Sequence, residues 1–226
     1  MNITATGLTK AAATAAVIAG SMFIAVQLGH PGSGEFTTQT TQWVAREYVK
    51  TGMAVLALAG ITGMYLRQYR KAGVLGLAGY LTFAVGYLTM FGVELIGATV
   101  LPNLVHTEPG FVNDVVAAAN GGTAVGDIGG LRILFGVMGA GYLIGGLVFG
   151  IALFRTGVLA RWAAALLAVS SVATVALAVL PESFNRPLAV PEAVALIGLG
   201  VSLWRNPRDV GAPAVTTNPV LEAASR

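Results

Sequence analysis

Three glutamates lie inside apolar segments of this 226-residue chain: Glu47, Glu94 and Glu192. An ionisable group in such a segment is costly to bury, and by default it marks a functional site. Burial disfavours the charged form of a carboxyl group, and the neutral acid can donate a proton. The sequence therefore predicts an acid-base site in which Glu94 is the candidate catalytic acid and Glu47 or Glu192 is its partner.

An aromatic column is predicted to lead up to Glu94. Tyr80, Phe83, Tyr87 and Phe91 precede it at steps of three or four residues, which places all five side chains on one helical face. Aromatic faces stabilise cations, so these residues are candidates for binding a substrate that becomes positively charged. The alternative is ordinary helix packing with one hydrogen-bonded acid.

The segment around Glu47 carries further polar residues on the same face. Trp43, Arg46 and Lys50 lie three or four residues from Glu47 or from one another. Trp43 is a further candidate for substrate binding. Arg46 and Lys50 could instead extend to the lipid headgroups, because long basic side chains reach out of the apolar layer.

Arg132 is the predicted counter-ion of the buried acids and a further candidate for substrate binding. It opens the fourth apolar segment, and a salt bridge to Glu94, Glu192 or Asp127 would explain how these charges are tolerated. Because their depths match, we expect Glu47, Glu94, Glu192 and Arg132 to converge on one cavity.

These side chains must be positioned by membrane-spanning helices. The chain is 55% hydrophobic and 10% charged, with a mean hydropathy of +0.76, whereas about a quarter of the residues in soluble domains are charged. No strand-like alternation is visible. The sequence predicts an all-α, polytopic membrane protein with six spans, at roughly 11–28, 42–66, 74–101, 131–154, 159–180 and 188–204.

Two features of the predicted bundle concern its shape. The fourth span carries pairs of glycines four residues apart, which allow close helix packing in lipid: Gly141 with Gly145 and Gly146 with Gly150. A long outer loop joins the third and fourth spans. Within it we expect a short helix that starts at Pro109 and lies on the membrane surface or over the mouth of the bundle.

The distribution of charge predicts the orientation. Lysines and arginines concentrate in alternate connections, and eight of the ten acids lie toward the other side. This places both termini in the cytoplasm and the protein in the inner (plasma) membrane of a bacterium. Residues 1–205 form the six-helix domain, and residues 206–226 form a flexible cytoplasmic tail.

Several classes of partner and cofactor are disfavoured. The basic residues lie mainly on one side of the membrane and the acids on the other, so the net charge of +3 does not indicate a nucleic-acid surface. Cysteine is absent, and His30 and His106 lack the spacing of metal ligands, so no metal and no cofactor are predicted. The expected partners are the lipid bilayer and an apolar small molecule, and a homo-oligomer is left open.

Two resemblances bear on function. The turn that runs from Phe154 to Ala163 and the closing Leu203-Trp204-Arg205 resemble those of small multi-pass membrane proteins common in actinobacteria. That resemblance implies a fold and no activity. More loosely, a compact bundle with embedded acids and aromatics is similar to the integral-membrane terpene cyclases, in which an acidic side chain protonates an alkene or epoxide.

The leading hypothesis is therefore an enzyme that acts on an isoprenoid or lipid by acid-initiated chemistry. The alternatives are a small transporter or channel that uses the same carboxylates as a proton or cation relay, and a membrane scaffold protein. A lipid-accessible closed pocket would favour the enzyme, and a water path to both faces would favour transport.

Overall fold

The computed structural model describes residues 3–32, 36–173, 175 and 185–206. All regular elements within this part of the chain are helical, as the sequence predicts. The predicted tail from residue 207 onward, and the acids Glu35, Glu182, Asp209 and Glu222, lie outside the described residues. The helices are α1 (Ala5–Gln27), α2 (Thr40–Thr99), α3 (Leu101–Leu104), α4 (Pro109–Ala119), α5 (Leu131–Thr156), α6 (Arg161–Ala173) and α7 (Asn185–Arg205).

Four of the described helices are long and apolar enough to cross a membrane. They are α1, α2 together with α3, α5, and the part of α7 that runs from Pro187 to Arg205. Helix α6 is apolar but is described over only 13 residues. The structure thus supports a membrane protein, and the count of six spans stays a prediction.

Helix α2 folds back on itself. A straight helix of its 60 residues would be about 90 Å long, yet the hydroxyls of Thr62 and Tyr80 are only 3.0 Å apart. The helical geometry breaks at Gln68 and at Gly73, whose positive φ of 58° is readily adopted only by glycine. The result is two antiparallel arms, residues 40–67 and 74–99, which correspond to the second and third predicted spans.

The long helical segments form a closed ring in which each neighbour runs antiparallel to the next. Helix α1 packs between the first arm of α2 and α7, α5 packs between the second arm of α2 and α6, and α6 completes the ring against α7. This alternation is the order expected of a chain that crosses a layer repeatedly through short connections. It leaves an interior that side chains from α2, α5 and α7 enter.

The glycines of α5 account for its close packing. A methyl group on Gly145 would lie 2.3 Å from the backbone of Phe83 in α2, whereas one on Gly150 would lie 2.7 Å from the backbone of Ala168 in α6. The predicted pairs therefore serve different neighbours: Gly141 and Gly145 face α2, and Gly146 and Gly150 face α6.

The basic residues gather at one end of the bundle. Arg67 donates a hydrogen bond to the carbonyl oxygen of Asn206 at 2.8 Å, and the Lys10 ammonium lies 5.6 Å from the centre of the Trp204 ring. A pocket lined by the bend of α2 reaches Gly157, in the turn between α5 and α6. These contacts bring the start of α1, the bend of α2, that turn and the end of α7 together as the basic end.

A second, smaller apolar core covers the opposite end. Helix α4 begins at Pro109, as predicted, and packs its valines against residues of α2, α3 and the adjoining loops. The buried members of this cap are Phe36, Trp43, Leu101, Val105, Val112, Val115, Val116 and Ile128.

Candidate functional site

Two of the three predicted acids meet a single lysine beneath the cap. The Lys50 ammonium lies 2.9 Å from Glu47 Oε1 and 3.5 Å from Glu94 Oε2. Glu47 is only 6% exposed, and the side chains of Lys50 and Glu94 are mostly buried. We call Glu47, Lys50 and Glu94 the Lys50 cluster.

The fold of α2 assembles this cluster from one helix. Glu47 and Lys50 are three residues apart on the first arm, and the antiparallel second arm brings Glu94 opposite them. Gly97 allows the close approach, because a methyl group at that position would lie 3.1 Å from Glu47 Oε2. Trp43 adds a ring face whose centre is 5.8 Å from the Lys50 ammonium.

A small cavity adjoins the Lys50 cluster. Its volume is about 70 Å³, which leaves room for a few water molecules. Its walls come from both arms of α2, from α3, from the cap and from the start of α5. The lining includes Phe36, Trp43, Glu47, Lys50, Glu94, Gly97, Val115, Asn120, Leu131, Phe135 and Met138.

Helix α4 forms one wall of the cavity, and Asp114 ties the loop that follows it. The Asp114 carboxylate accepts hydrogen bonds from the backbone amides of Val125 at 2.8 Å and Gly126 at 2.9 Å. Asp127 accepts a further bond from the Gly129 amide at 2.8 Å. These two acids therefore organise the loop, which is the usual role of Asp in turns.

The predicted aromatic column is present, and the Phe149 ring of α5 links its members, with its centre 6.3 Å from those of Tyr80 and Phe83. Tyr80 stacks on Tyr65 at 4.7 Å between ring centres, and its hydroxyl meets Thr62. Phe83 and Tyr87 are fully buried and lie 4.8 Å apart.

The fourth member of the column, Phe91, packs at the edge of the main core. The column also extends sideways to two rings that the sequence did not single out, Tyr142 and Phe149 of α5.

Glu192 lies apart from the Lys50 cluster. It is 1% exposed and is not in the lining of the cavity beneath the cap. It interacts with the hydroxyls of Tyr87 and Tyr142, but neither carboxyl oxygen forms a hydrogen bond of normal geometry with a described residue. We call Glu192, Tyr87 and Tyr142 the Glu192 cluster.

The expected role of Arg132 as counter-ion is wrong. Its side chain is exposed at the start of α5, and it forms no ion pair with Glu94, Glu192 or Asp127. A residue in the first turn of a helix at the edge of the apolar layer can extend its side chain to solvent. The Arg132 charge is therefore not buried and needs no counter-ion. Lys50 supplies the positive charge instead.

The two basic residues near Glu47 have different roles. Arg46 donates hydrogen bonds to the carbonyl oxygens of Val26 and Gly29, both at 2.9 Å, and thereby satisfies acceptors at the end of α1. Lys50 points to the acids rather than to the headgroups. The sequence signal for this difference was weak, because helical spacing shows which residues share a face but not what that face meets.

No group of three or more metal-ligating side chains occurs within the described parts of the chain. His30 packs its ring against Trp43 at 4.6 Å, and His106 is exposed. The catalytic and substrate-binding roles assigned to the predicted residues stay predictions.

Comparisons with protein-family models, with curated proteins and with solved structures found no match to this chain.

Proposed function

We propose that this chain is a small membrane transporter or channel in which the Lys50 cluster binds a proton or a small cation. The observation that carries the proposal is the sharing of one ammonium by two buried carboxyl groups. If all three groups are ionised, one negative charge is left over. An unpaired charge is unfavourable in an apolar bundle, so a bound proton or cation that neutralises it is stabilised.

The surroundings suit such an ion. The cavity has room for a few waters, and it reaches both the Lys50 cluster and the polar side chain of Asn120. An indole face also lies beside the ammonium at 5.8 Å. Intramembrane carboxylates that face a small wet cavity are typical of ion pathways.

The same cavity gives less support to the enzyme predicted from the sequence. Pockets for drug-sized ligands usually have about 300–1,000 Å³. The cavity beneath the cap has only about 70 Å³, which is small for an isoprenoid. Acid-initiated chemistry on an apolar molecule therefore takes second place, and it rests on the aromatic rings around Phe83.

Pairs of hydrogen-bonded polar side chains at other depths in the bundle support the passage of a proton toward the basic end. Between the arms of α2, Thr62 and Tyr80 share a hydrogen bond of 3.0 Å. Nearer the bend, Thr156 donates a hydrogen bond to Gln68, which is almost fully buried. Hydroxyl and amide groups of this kind can both accept and donate, as a proton relay requires.

The proposed topology has six spans, with the basic end in the cytoplasm of a bacterium and the cap on the outer face of the inner membrane. The gathering of Arg67, Lys10 and their neighbours at one end supports this orientation, because short cytoplasmic loops are rich in Lys and Arg. Reporter fusions at Lys71 and Arg161 should both give a cytoplasmic signal. A periplasmic signal from either would contradict the topology.

The proposal is tested by flux through the purified protein in liposomes. We expect an imposed pH or cation gradient to decay faster with wild-type protein than in empty liposomes, as followed with a pH-sensitive or cation-sensitive dye. Glu94→Gln and Glu47→Gln should return the rate to that of empty liposomes, because an amide cannot exchange a proton or carry the charge.

The matched control is Glu108→Gln, since Glu108 is an exposed acid near the cap that lines no part of the cavity. Its flux should equal that of the wild type. Wild-type liposomes that behave like empty ones, or Glu94→Gln liposomes that behave like wild type, would contradict transport at this site. Product formation from an isoprenoid panel, seen by mass spectrometry and lost in Glu94→Gln, would favour the enzyme.

A further inference from the structure

We propose that Glu192, Tyr87 and Tyr142 form a second binding site, which takes a single positive charge in the form of a proton or an alkali-metal cation. The site lies inside the helical ring rather than beneath the cap. It extends the proposed function to a second position in the bundle, but binding at Glu192 does not depend on flux through the Lys50 cluster.

The first support is burial without a partner. Glu192 and Tyr87 are each 1% exposed, and the Tyr142 hydroxyl is fully buried. None of the four oxygens of these side chains forms a hydrogen bond of normal geometry with a described residue, although the Tyr142 hydroxyl is close enough to interact with Glu192 and Tyr87. Buried polar groups are normally satisfied, and an unsatisfied set that faces one spot points to a bound species.

The second support is convergence from three directions. Glu192 comes from α7, Tyr87 from the second arm of α2, and Tyr142 from α5, where the two tyrosine rings are 5.7 Å apart. Gly86 and Gly141 bring these two helices together, because a methyl group on either would come within 2.8 Å of the opposite backbone. Tight backbone packing between α2 and α5 therefore holds the two phenol groups beside each other.

The third support is the lack of an opposite charge nearby. The titratable groups that face Glu192 from α2 and α5 are Tyr87 and Tyr142, and neither is cationic. Helix α1 and the described part of α6 also pack against α7. Their basic residues are Lys10, which lies beside Trp204, and Arg161, which lies beside Phe154 at the basic end. Among the side chains that the structure describes, Glu192 forms no ion pair.

Either a proton or an alkali cation would neutralise the Glu192 carboxylate. A protonated carboxyl can donate to one phenol oxygen and accept from the other, which would satisfy the set. An alkali cation could instead be bound by the carboxylate and the phenol oxygens. Tyr87 precedes Glu94 by seven residues, about 10 Å along the helix, so the two sites are close enough for successive steps of one pathway.

The test is infrared difference spectroscopy of the purified protein with and without sodium or potassium ions. Without either ion, we expect a carbonyl stretch of a protonated carboxyl that disappears in Glu192→Gln and remains in Glu94→Gln. If the site prefers a cation, adding the ion should replace this band by carboxylate bands, again only when Glu192 is present. Either result supports the site and identifies its occupant.

Two further variants keep the test decisive if Glu192→Gln fails to fold. Tyr142→Phe and Tyr87→Phe keep the packed rings, so both should fold, and each should shift the Glu192 band because it removes a phenol oxygen that interacts with the occupied carboxyl group. Identical spectra for wild type and Glu192→Gln under both conditions would overturn the site. A Glu192 band that neither phenylalanine variant shifts would show that the phenols take no part in it.

Discussion

The Lys50 cluster and the Glu192 cluster show two ways of burying carboxyl groups in one bundle. Beneath the cap, Glu47 and Glu94 share the ammonium of Lys50, so the protein balances one of their two negative charges when all three groups are ionised. In the ring interior, Glu192 faces phenol hydroxyls, and none of these oxygens forms a hydrogen bond of normal geometry with a described residue. The Lys50 cluster therefore contains a protein cation and leaves one charge for a bound ion, whereas the Glu192 cluster contains no protein cation.

This difference should appear in the stability of variants. Removing the shared cation of the Lys50 cluster leaves two buried carboxyl groups uncompensated, which destabilises the fold. Removing a group that lacks a partner takes away no interaction within the protein, so its loss should affect binding more than stability. The contrast can be tested by measuring thermal unfolding of purified variants in detergent.

The largest effect is expected for Lys50→Met. Methionine keeps the length of the side chain but leaves Glu47 and Glu94 without a cation, which should lower the free energy of unfolding by about 3–5 kcal/mol. Lys71→Met is the control, because Lys71 is exposed, and its effect should stay within about 0.5 kcal/mol. The triple variant with Glu47→Gln and Glu94→Gln should recover much of the loss. An unchanged melting temperature for Lys50→Met would contradict stabilisation of the two carboxyl groups by the Lys50 ammonium.

A smaller effect is expected from a pair of glycines in the second arm of α2. Gly92→Ala meets no atom within contact distance and should stabilise the helix by about 0.5–1 kcal/mol. Gly97→Ala would place its methyl group 3.1 Å from Glu47 Oε2, so the carboxylate must move away from its present position. We expect Gly97→Ala to be less stable than Gly92→Ala by about 1–2 kcal/mol. Equal melting temperatures would mean that Glu47 does not pack tightly against the second arm of α2.

The smallest effect is expected for substitutions of two tyrosines in the aromatic column. Tyr80→Phe loses the hydrogen bond to Thr62 and should cost about 0.5–1.5 kcal/mol. Tyr87→Phe removes a buried hydroxyl that forms no hydrogen bond of normal geometry with a described residue, so it should cost less than Tyr80→Phe. A loss in Tyr87→Phe as large as that in Tyr80→Phe would show that the Tyr87 hydroxyl is already satisfied and would weaken the contrast between the two clusters.

Much of the secondary structure could be predicted from the sequence. The apolar segments at 42–66 and 74–101 match the two arms of α2, because charged residues and Gly73 separate them. Pro109 predicted the start of α4, since proline suits the first turn of a helix. The glycine pairs of α5 predicted close packing, although not which neighbour each pair faces.

The site was less predictable. Spacing placed Glu47 and Lys50 on one face, but it could not tell whether Lys50 reaches the headgroups or turns toward Glu94. Arg132 was expected to pair with the acids and is exposed instead. Tyr142 gave no signal of its own, because a single tyrosine in a glycine-rich apolar helix has no pattern that assigns it a partner.

The sequence by itself determined that this is a helical protein rich in membrane-length apolar segments, with basic connections at one end and costly acids near the other. These properties follow from composition and local periodicity, which act along the chain. The tertiary structure decided which acids are balanced. Glu94 meets Lys50 only because α2 folds back at Gln68 and Gly73, and Glu192 meets Tyr87 and Tyr142 only because three helices distant in sequence enclose them. Charge balance in an apolar medium depends on distances of a few ångströms between such segments, and no local pattern encodes those distances.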